Sequence, residues 1–245
     1  MEETVKTAEP SGVVSQLFKA GAHFGYARSR RHPSAASYIF GAKNGVDIID
    51  LEKTEKDLAR TLEYVEQLGK EGKKIMFVGN KPEVRMLVQN RALTLGMPYV
   101  TERWVGGTFT NFTEIKKRIA RMKELREGKA RDNWAGYTKG EKAVIQKELD
   151  HLERFFKGIE EVSQFPHAVL VVDSRHEHTA VEESQRVGVP VISLSSSDCD
   201  VTTIDYPVVA NDSSSTSVSY FLDQVVMAYK KGLSRAEVAP VVGVA

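Results

Sequence analysis

The sequence predicts an α/β fold: a Rossmann-like or flavodoxin-like parallel sheet flanked by helices, interrupted by an inserted antiparallel coiled-coil helical hairpin. Three observations predict it. Short β-branched runs alternate with longer amphipathic stretches, the usual mark of a parallel sheet with helices on its faces. The runs AVLVVD (168–173) and VPVISL (189–194) bracket EHTAVEESQRVG, a strand, helix, strand crossover of minimal length that closes on Gly188. Between about 113 and 162 the alternation stops, and apolar residues recur at steps of four and three instead.

Taken in order, DLEKTEKDLARTLEYVEQLGKEG places Leu58, Leu62, Val65 and Leu68 at helical spacing. KKIMFVG (73–79) is the clearest strand, and a helix near 82–95 follows with Pro82 suited to its first turn. Residues 97–100 read as a further short strand, which leads into RWVGGTFTNF (103–112). Ile115, Ile119, Met122 and Leu125, then Ile145, Leu149, Leu152, Phe156 and Ile159, form heptad-like stripes on two helices. The segment between them, EGKARDNWAGYTKGE, is marked as a connection by Gly128, Gly136 and Gly140. The closing stretch 213–232 opens with serine caps and ends with basic residues before Gly232, which should terminate it. The chain thus divides into one α/β domain built from 10–112 and 163–235, a hairpin over 113–162, and flexible tails at 1–9 and 236–245.

With 245 residues and 41% hydrophobic content, the chain can bury one large core plus an elaboration. Its first residues are acidic and polar, and the longest purely apolar run, AVLVV, is far too short to span a bilayer, so no membrane partner is expected. A single cysteine, Cys199, removes any internal disulfide and any cysteine-based zinc framework, in keeping with a reducing cytoplasm. The net charge of +1 conceals asymmetry: eight basic residues against two acids between Lys116 and Arg131, but five against ten from Pro166 onward. Such an excess is either a footprint for a polyanion or a solvated helix face.

The chemical motifs of this fold class are missing. The loop after the first clear strand is GNKPE, which has neither the G-x-G-x-x-G of a dinucleotide site nor the P-loop pattern. In DSRHEH, His176 and His178 are two apart and would not converge as an i, i+4 pair does, so the segment reads as a turn that starts a helix. No catalytic residue, cofactor or metal is therefore expected. By contrast AGAHFGYARSRRHP (20–33) joins glycines, the aromatic faces of His23, Phe24 and Tyr26, and the cations Arg28, Arg30 and Arg31. Close backbone approach, stacking surfaces and clustered arginine are what irregular RNA recognition needs, and a charged surface loop is the plainer alternative.

LFKAGAHFGYARSRRHPSAASYIFGAKNGVDIIDLEKT and RWVGGTFTNF resemble the signature segments of the S2 family of bacterial small-subunit (30S) ribosomal proteins. FVGNKPE, PHAVLVVDSRHEHTAVEES, GVPVIS and DYPVVANDSSS follow in the family's order, so the resemblance spans about 13–235. It implies a non-enzymatic, cytoplasmic component of the ribosome. Its implied partners are 16S rRNA and neighbouring ribosomal proteins, including the large mRNA-binding first protein of that subunit. RNA contacts are then expected at His23, Arg28, Arg30, Arg31, Arg103, Asn111, Lys116, Lys117, Arg118 and Arg121. The alternative is a small-molecule-binding enzyme on a doubly wound fold, since fold alone does not fix function.

The chain departs from the family at Tyr26, where a second histidine is usual, and at RRHPSAA, where a Trp-Asn-Pro-Lys-Met type run is usual. SSSD (195–198) replaces an Asp-Thr-Asn type triplet, and Ser213 stands where a second aspartate is usual. Some members are thought to hold a divalent ion through the early histidine and these acids. The lost carboxylates lower that prospect here, with His23, Asp200, Asp205 and Asp212 the residues concerned.

Overall fold

The computed structural model describes residues 12–238 apart from 132, 133 and 135. The chain opens with helix α1 (Gly12–Lys19) and a small antiparallel sheet of β1 (Phe24–Ala27), β2 (Ile39–Lys43) and β3 (Val46–Ile49), ordered β1-β3-β2. No strand is expected here from the alternation of runs. The Asn44-Gly45 pair makes the tight turn, with φ of 52° and 79°, and Lys43 pairs with Val46 across it.

Helix α2 (Leu51–Lys70) follows, capped by the Asp50 carboxylate, which accepts from the Glu52 amide at 3.1 Å. The remaining elements are β4 (Ile75–Val78), α3 (Arg85–Thr94), β5 (Tyr99–Val100), α4 (Phe112–Ala130), α5 (Lys139–Phe156), β6 (Ala168–Val172), α6 (His178–Arg186), β7 (Val191–Ser195), β8 (Tyr206–Val209) and α7 (Ser215–Val238). Pro82 lies in the turn that leads into α3 rather than inside the helix.

Strands β4 to β8 form one parallel sheet in the order β5-β4-β6-β7-β8. Counted within the sheet this is 2-1-3-4-5, the doubly wound order whose direction reverses between β4 and β6. Every residue of β4, β6 and β7 is buried, as strands covered on both faces must be. Alternate side chains feed two cores. Ile75, Phe77, Leu170 and Ile192 cluster with α2, α3 and α7, while Met76, Val78, Val169 and Val171 cluster with α4, α5 and α6.

The C-terminal helix differs from the sequence reading. Helix α7 does not stop at Gly232 but continues to Val238, so residues 236–238 are helical; the tails at 1–9 and 239–245 lie outside the described residues. A Cβ on Gly232 would collide with the Glu66 carbonyl of α2, and one on Gly69 with the Tyr229 carbonyl of α7. Gly232 therefore permits close helix crossing instead of termination, and the packing outweighs its weak helix propensity of about 1 kcal/mol.

In the middle region, Ile115, Ile119, Met122 and Leu125 are buried with Leu149, Leu152, Phe156 and Ile159, in one core continuous with the sheet; Ile145 is partly buried. Thr138 and Glu141 form a reciprocal capping box at the start of α5. Arg121 pairs with Glu148 at 3.1 Å, and Arg126 with Glu153 and Glu160, each at 2.8 Å. Lys123 sits 3.9 Å from Glu160, and Lys116 donates to the Ser163 carbonyl at 2.9 Å, so α4 is tied both to α5 and to the segment that follows it.

Candidate functional site

Ligands of doubly wound sheets bind beyond the carboxyl ends of the strands, at the point where strand order reverses. In this chain that crevice is filled by the protein itself. Lys81, three residues past β4, places its Nζ 2.5 Å from Asp173, which follows β6, and 3.2 Å from Asp212, which follows β8. The Tyr26 hydroxyl from β1 lies 3.3 Å from the same nitrogen, so the antiparallel sheet lids the group. Asp173 takes up a left-handed backbone conformation, φ 66°, and its Oδ1 accepts from the His176 amide at 2.9 Å to start the turn into α6.

The electrostatics follow from one ammonium facing several carboxylates. Burial alone would lower the pKa of Lys81, but the Asp212 and Asp173 carboxylates outweigh it and raise it. Burial, with the like charge of Asp173 beside it, pushes Asp212 up to about 6. Glu177 is pushed up to about 7, chiefly by burial, although it accepts the Asn80 amide at 3.0 Å. Lys81 lies in the GNKPE loop, which carries no phosphate-binding glycine pattern. The available signal was a lysine directly after one strand and aspartates directly after two others in a sheet whose strand ends converge.

The donor set does not suit a divalent cation. Asp173, Cys199 and Asp212 bring ligand atoms within 4.8 Å of one another, but the Lys81 ammonium already occupies the space between the two carboxylates and offsets one of their charges. Burial pushes the Cys199 thiol up to about 12, so it is no thiolate near neutrality. Of the residues singled out for an ion, only Asp212 belongs to this group. Asp205 accepts the Val191 amide at 2.8 Å, Asp200 holds Thr202 and sits 3.8 Å from His32, and His23 stacks on Phe18 with Phe24 tilted against its other side.

RWVGGTFTNF is held by a residue the sequence did not flag. The buried Glu183 carboxylate of α6 accepts the amides of Gly107 at 2.6 Å, Phe109 at 2.8 Å and Thr110 at 3.3 Å. The carboxylate fixes the loop ahead of α4; Asn111 stands at the N-cap of that helix, but its side chain accepts no first-turn amide. Trp104 and Phe109 are buried beneath the loop, edge to face at 5.1 Å, and Gly107 takes φ 92°.

The ten residues expected to contact RNA divide by whether their charge is already matched. Arg31 forks onto the buried carboxylate of Asp47, with its Nε at 2.7 Å, and Arg30 pairs with buried Asp198 at 2.8 Å while lying over the Tyr26 ring. Arg121 bonds Glu124 and Glu148, Lys117 bonds Glu114, and Lys116 donates to the Ser163 carbonyl at 2.9 Å. Most other arginines are likewise ion-paired. Arg28, Arg103 and Arg118 are exposed, and their side chains have no ion-pair or hydrogen-bond partner among the described residues. Burial lowers the pKa of His23, which leaves it a neutral stacking ring. Arg103, Asn111 and Arg118 line one cavity, while Arg30 and Arg31 line another beside Arg175 and His178.

The strand-end crevice is filled by Lys81, Asp173 and Asp212, and Arg28, Arg103 and Arg118 stand exposed with unmatched charge, an arrangement suited to binding a polyanion. Comparison with known proteins agrees. The family model for ribosomal protein S2 matches residues 17–232. The chain belongs to the ribosomal protein S2 family. Its S2 relatives include the small ribosomal subunit protein uS2 of Chloroflexus aggregans, 35% identical over 91% of this chain and 94% of that one. The protein of the same name from Corynebacterium urealyticum is 38% identical, covering 91% and 83%, and that from Picosynechococcus 34% identical, covering 89% and 86%. These S2 proteins are ribosomal proteins and not enzymes. No helix among the described residues is long and apolar enough to cross a membrane.

Proposed function

We propose that the chain is a structural constituent of the small ribosomal subunit that binds 16S rRNA and neighbouring ribosomal proteins, the large mRNA-binding first protein among them, within cytoplasmic ribosomes. The observation that carries the RNA-binding part is that Arg28, Arg103 and Arg118 stand exposed and unmatched in a chain that ion-pairs most of its arginines internally. A buried or matched cation has its counter-charge already; an unmatched one gains by neutralising a phosphate and releasing its condensed counterion. Exposed Phe18, Phe24 and Phe40 around the first sheet supply faces for a protein partner or for bases. Residues 113–162 act in this reading as a helical insert between β5 and β6. The apolar seam shared by the two helices supports reading the insert as an antiparallel coiled-coil hairpin.

Binding to a small-subunit rRNA transcript, followed by filter retention from 50 to 300 mM salt, tests the proposal. Affinity should fall steeply, by at least ten-fold over that range, and native protein should sediment with the small subunit at moderate salt. A free monomer at moderate salt with no RNA retention would end it.

A further inference from the structure

The cavity under RWVGGTFTNF has a volume of about 590 Å³, within the range of pockets that hold a small ligand. It is lined by Arg103, Trp104, Gly106, Arg118, His151 and Phe155 among others. Both guanidiniums are unmatched, and the one acid on its wall, Glu114, is already bonded to Lys117 at 2.7 Å. The His151 and Phe155 rings lie 5.0 Å apart and give the cavity an aromatic side. Two further observations point to an occupant. The indole N–H of Trp104, a residue 5% exposed, has no acceptor. Gly106 is exposed, and a Cβ there would meet nothing nearer than Glu183 Oε1 at 4.0 Å, so the fold leaves its backbone open to close approach from outside.

We propose that this cavity receives a single unpaired nucleotide of an RNA chain. Its phosphates lie against Arg103 and Arg118, its base lies against Phe155 and His151, and Gly106 lets the ribose-phosphate backbone pass close to the loop. Two guanidiniums beside an aromatic wall match the two halves of a nucleotide, charged and planar, and RNA recognition works on such splayed bases. An acidic protein segment would use the cations but has no planar group for the aromatic wall. The inference rests on the RNA-binding reading above and sharpens it to one site and one ligand class.

The test uses the full chain carrying Trp134→Phe, which leaves Trp104 as its single tryptophan, and a single-stranded octamer of adenylate as probe. The octamer should quench Trp104 fluorescence. Arg103→Gln with Arg118→Gln should lower the slope of log K against log salt by about 1.4. Phe155→Leu should weaken binding about ten-fold at an unchanged slope, and an abasic octamer should ignore Phe155→Leu. The inference is overturned if both sets of variants bind the octamer as the parent does, or if hexaglutamate quenches Trp104 while the octamer does not. Should the parent still bind the rRNA transcript in those cases, only this site fails; should the parent bind no RNA at all, the functional reading fails with it.

Discussion

The Lys81 ammonium lies 2.5 Å from Asp173 and 3.2 Å from Asp212, so one cation from the loop after β4 holds two carboxylates from the loops after β6 and β8. The side chain of Lys81 is 14% exposed and that of Asp212 fully buried, so water screens the group little. Removing the cation strands two buried charges, which costs about 3–5 kcal/mol. Lys81→Met should therefore lower the urea midpoint sharply at pH 8 and less at pH 5, where protonation relieves Asp212. An equal loss at both pH values would show that the ammonium is not the counter-ion.

Glu177 gives the fold a pH dependence of definite sign. Its folded-state pKa is raised to about 7 from an ordinary 4.5, so its contribution is full below about 4.5 and is lost as the pH rises through 7. Between pH 4.5 and 8 the loss is on the order of 3 kcal/mol. Glu177→Gln keeps an acceptor for the Asn80 amide and cannot ionise. Unfolding curves at pH 5 and 8 should differ by that much less in the variant than in the parent; parallel behaviour would rule the assignment out.

Glu183 is the anchor of the loop that joins sheet and insert. A carboxylate that accepts three amides forms charge-assisted bonds, and glutamine would turn an N–H toward amides that need acceptors. Glu183→Gln should cost about 2–4 kcal/mol and speed amide hydrogen exchange at Gly107 and Phe109 before it does so in β6. Unchanged exchange at those amides would mean that the loop holds its shape without the carboxylate.

How much of this was legible depended on whether a feature was local. Strands β4, β6 and β7 announce themselves because burial on both faces demands unbroken apolar runs, and the stripes Ile115 to Leu125 and Leu149 to Ile159 mark buried helix faces. The first antiparallel sheet had a local signal, Asn44-Gly45, but its strands are short and partly exposed, so no clear alternation reveals them. Gly232 looks like a helix terminator locally because its role depends on Glu66, far away in sequence. The same holds for Lys81 with Asp212, for Glu183 with the 103–112 loop, and for Arg31 with Asp47: charge counts place cations in a segment, but only the fold decides which already have partners.

Gly69 sets two effects against each other at the crossing of α2 and α7. Alanine gains about 1 kcal/mol of helix propensity over glycine. Here its Cβ would run into the backbone carbonyl of Tyr229, which cannot swing aside as a side chain could, and overpacking of this kind costs about 1–3 kcal/mol or more. Gly69→Ala should be net destabilising in thermal melts, while the same change at exposed Gly140, within α5 and with open space around it, should stabilise slightly.

The arginines of the 28–31 segment offer the sharpest separation of structural from RNA-binding charge. Arg28 donates only its backbone amide, to Gly45, and its guanidinium is unmatched; Arg31 neutralises Asp47, which is fully buried. Arg28→Gln should leave the unfolding midpoint where it is and reduce the salt slope of rRNA binding by a little under one unit, the share of a single phosphate. Arg31→Gln should do the reverse: a lower midpoint, because Asp47 loses its cation, with the slope kept in whatever fraction remains folded. Measuring both quantities on both variants makes the contrast internal. A slope that responds to Arg31 and not to Arg28 would mean that matched arginines still face the RNA, and the sorting of contacts by internal pairing would have to be abandoned.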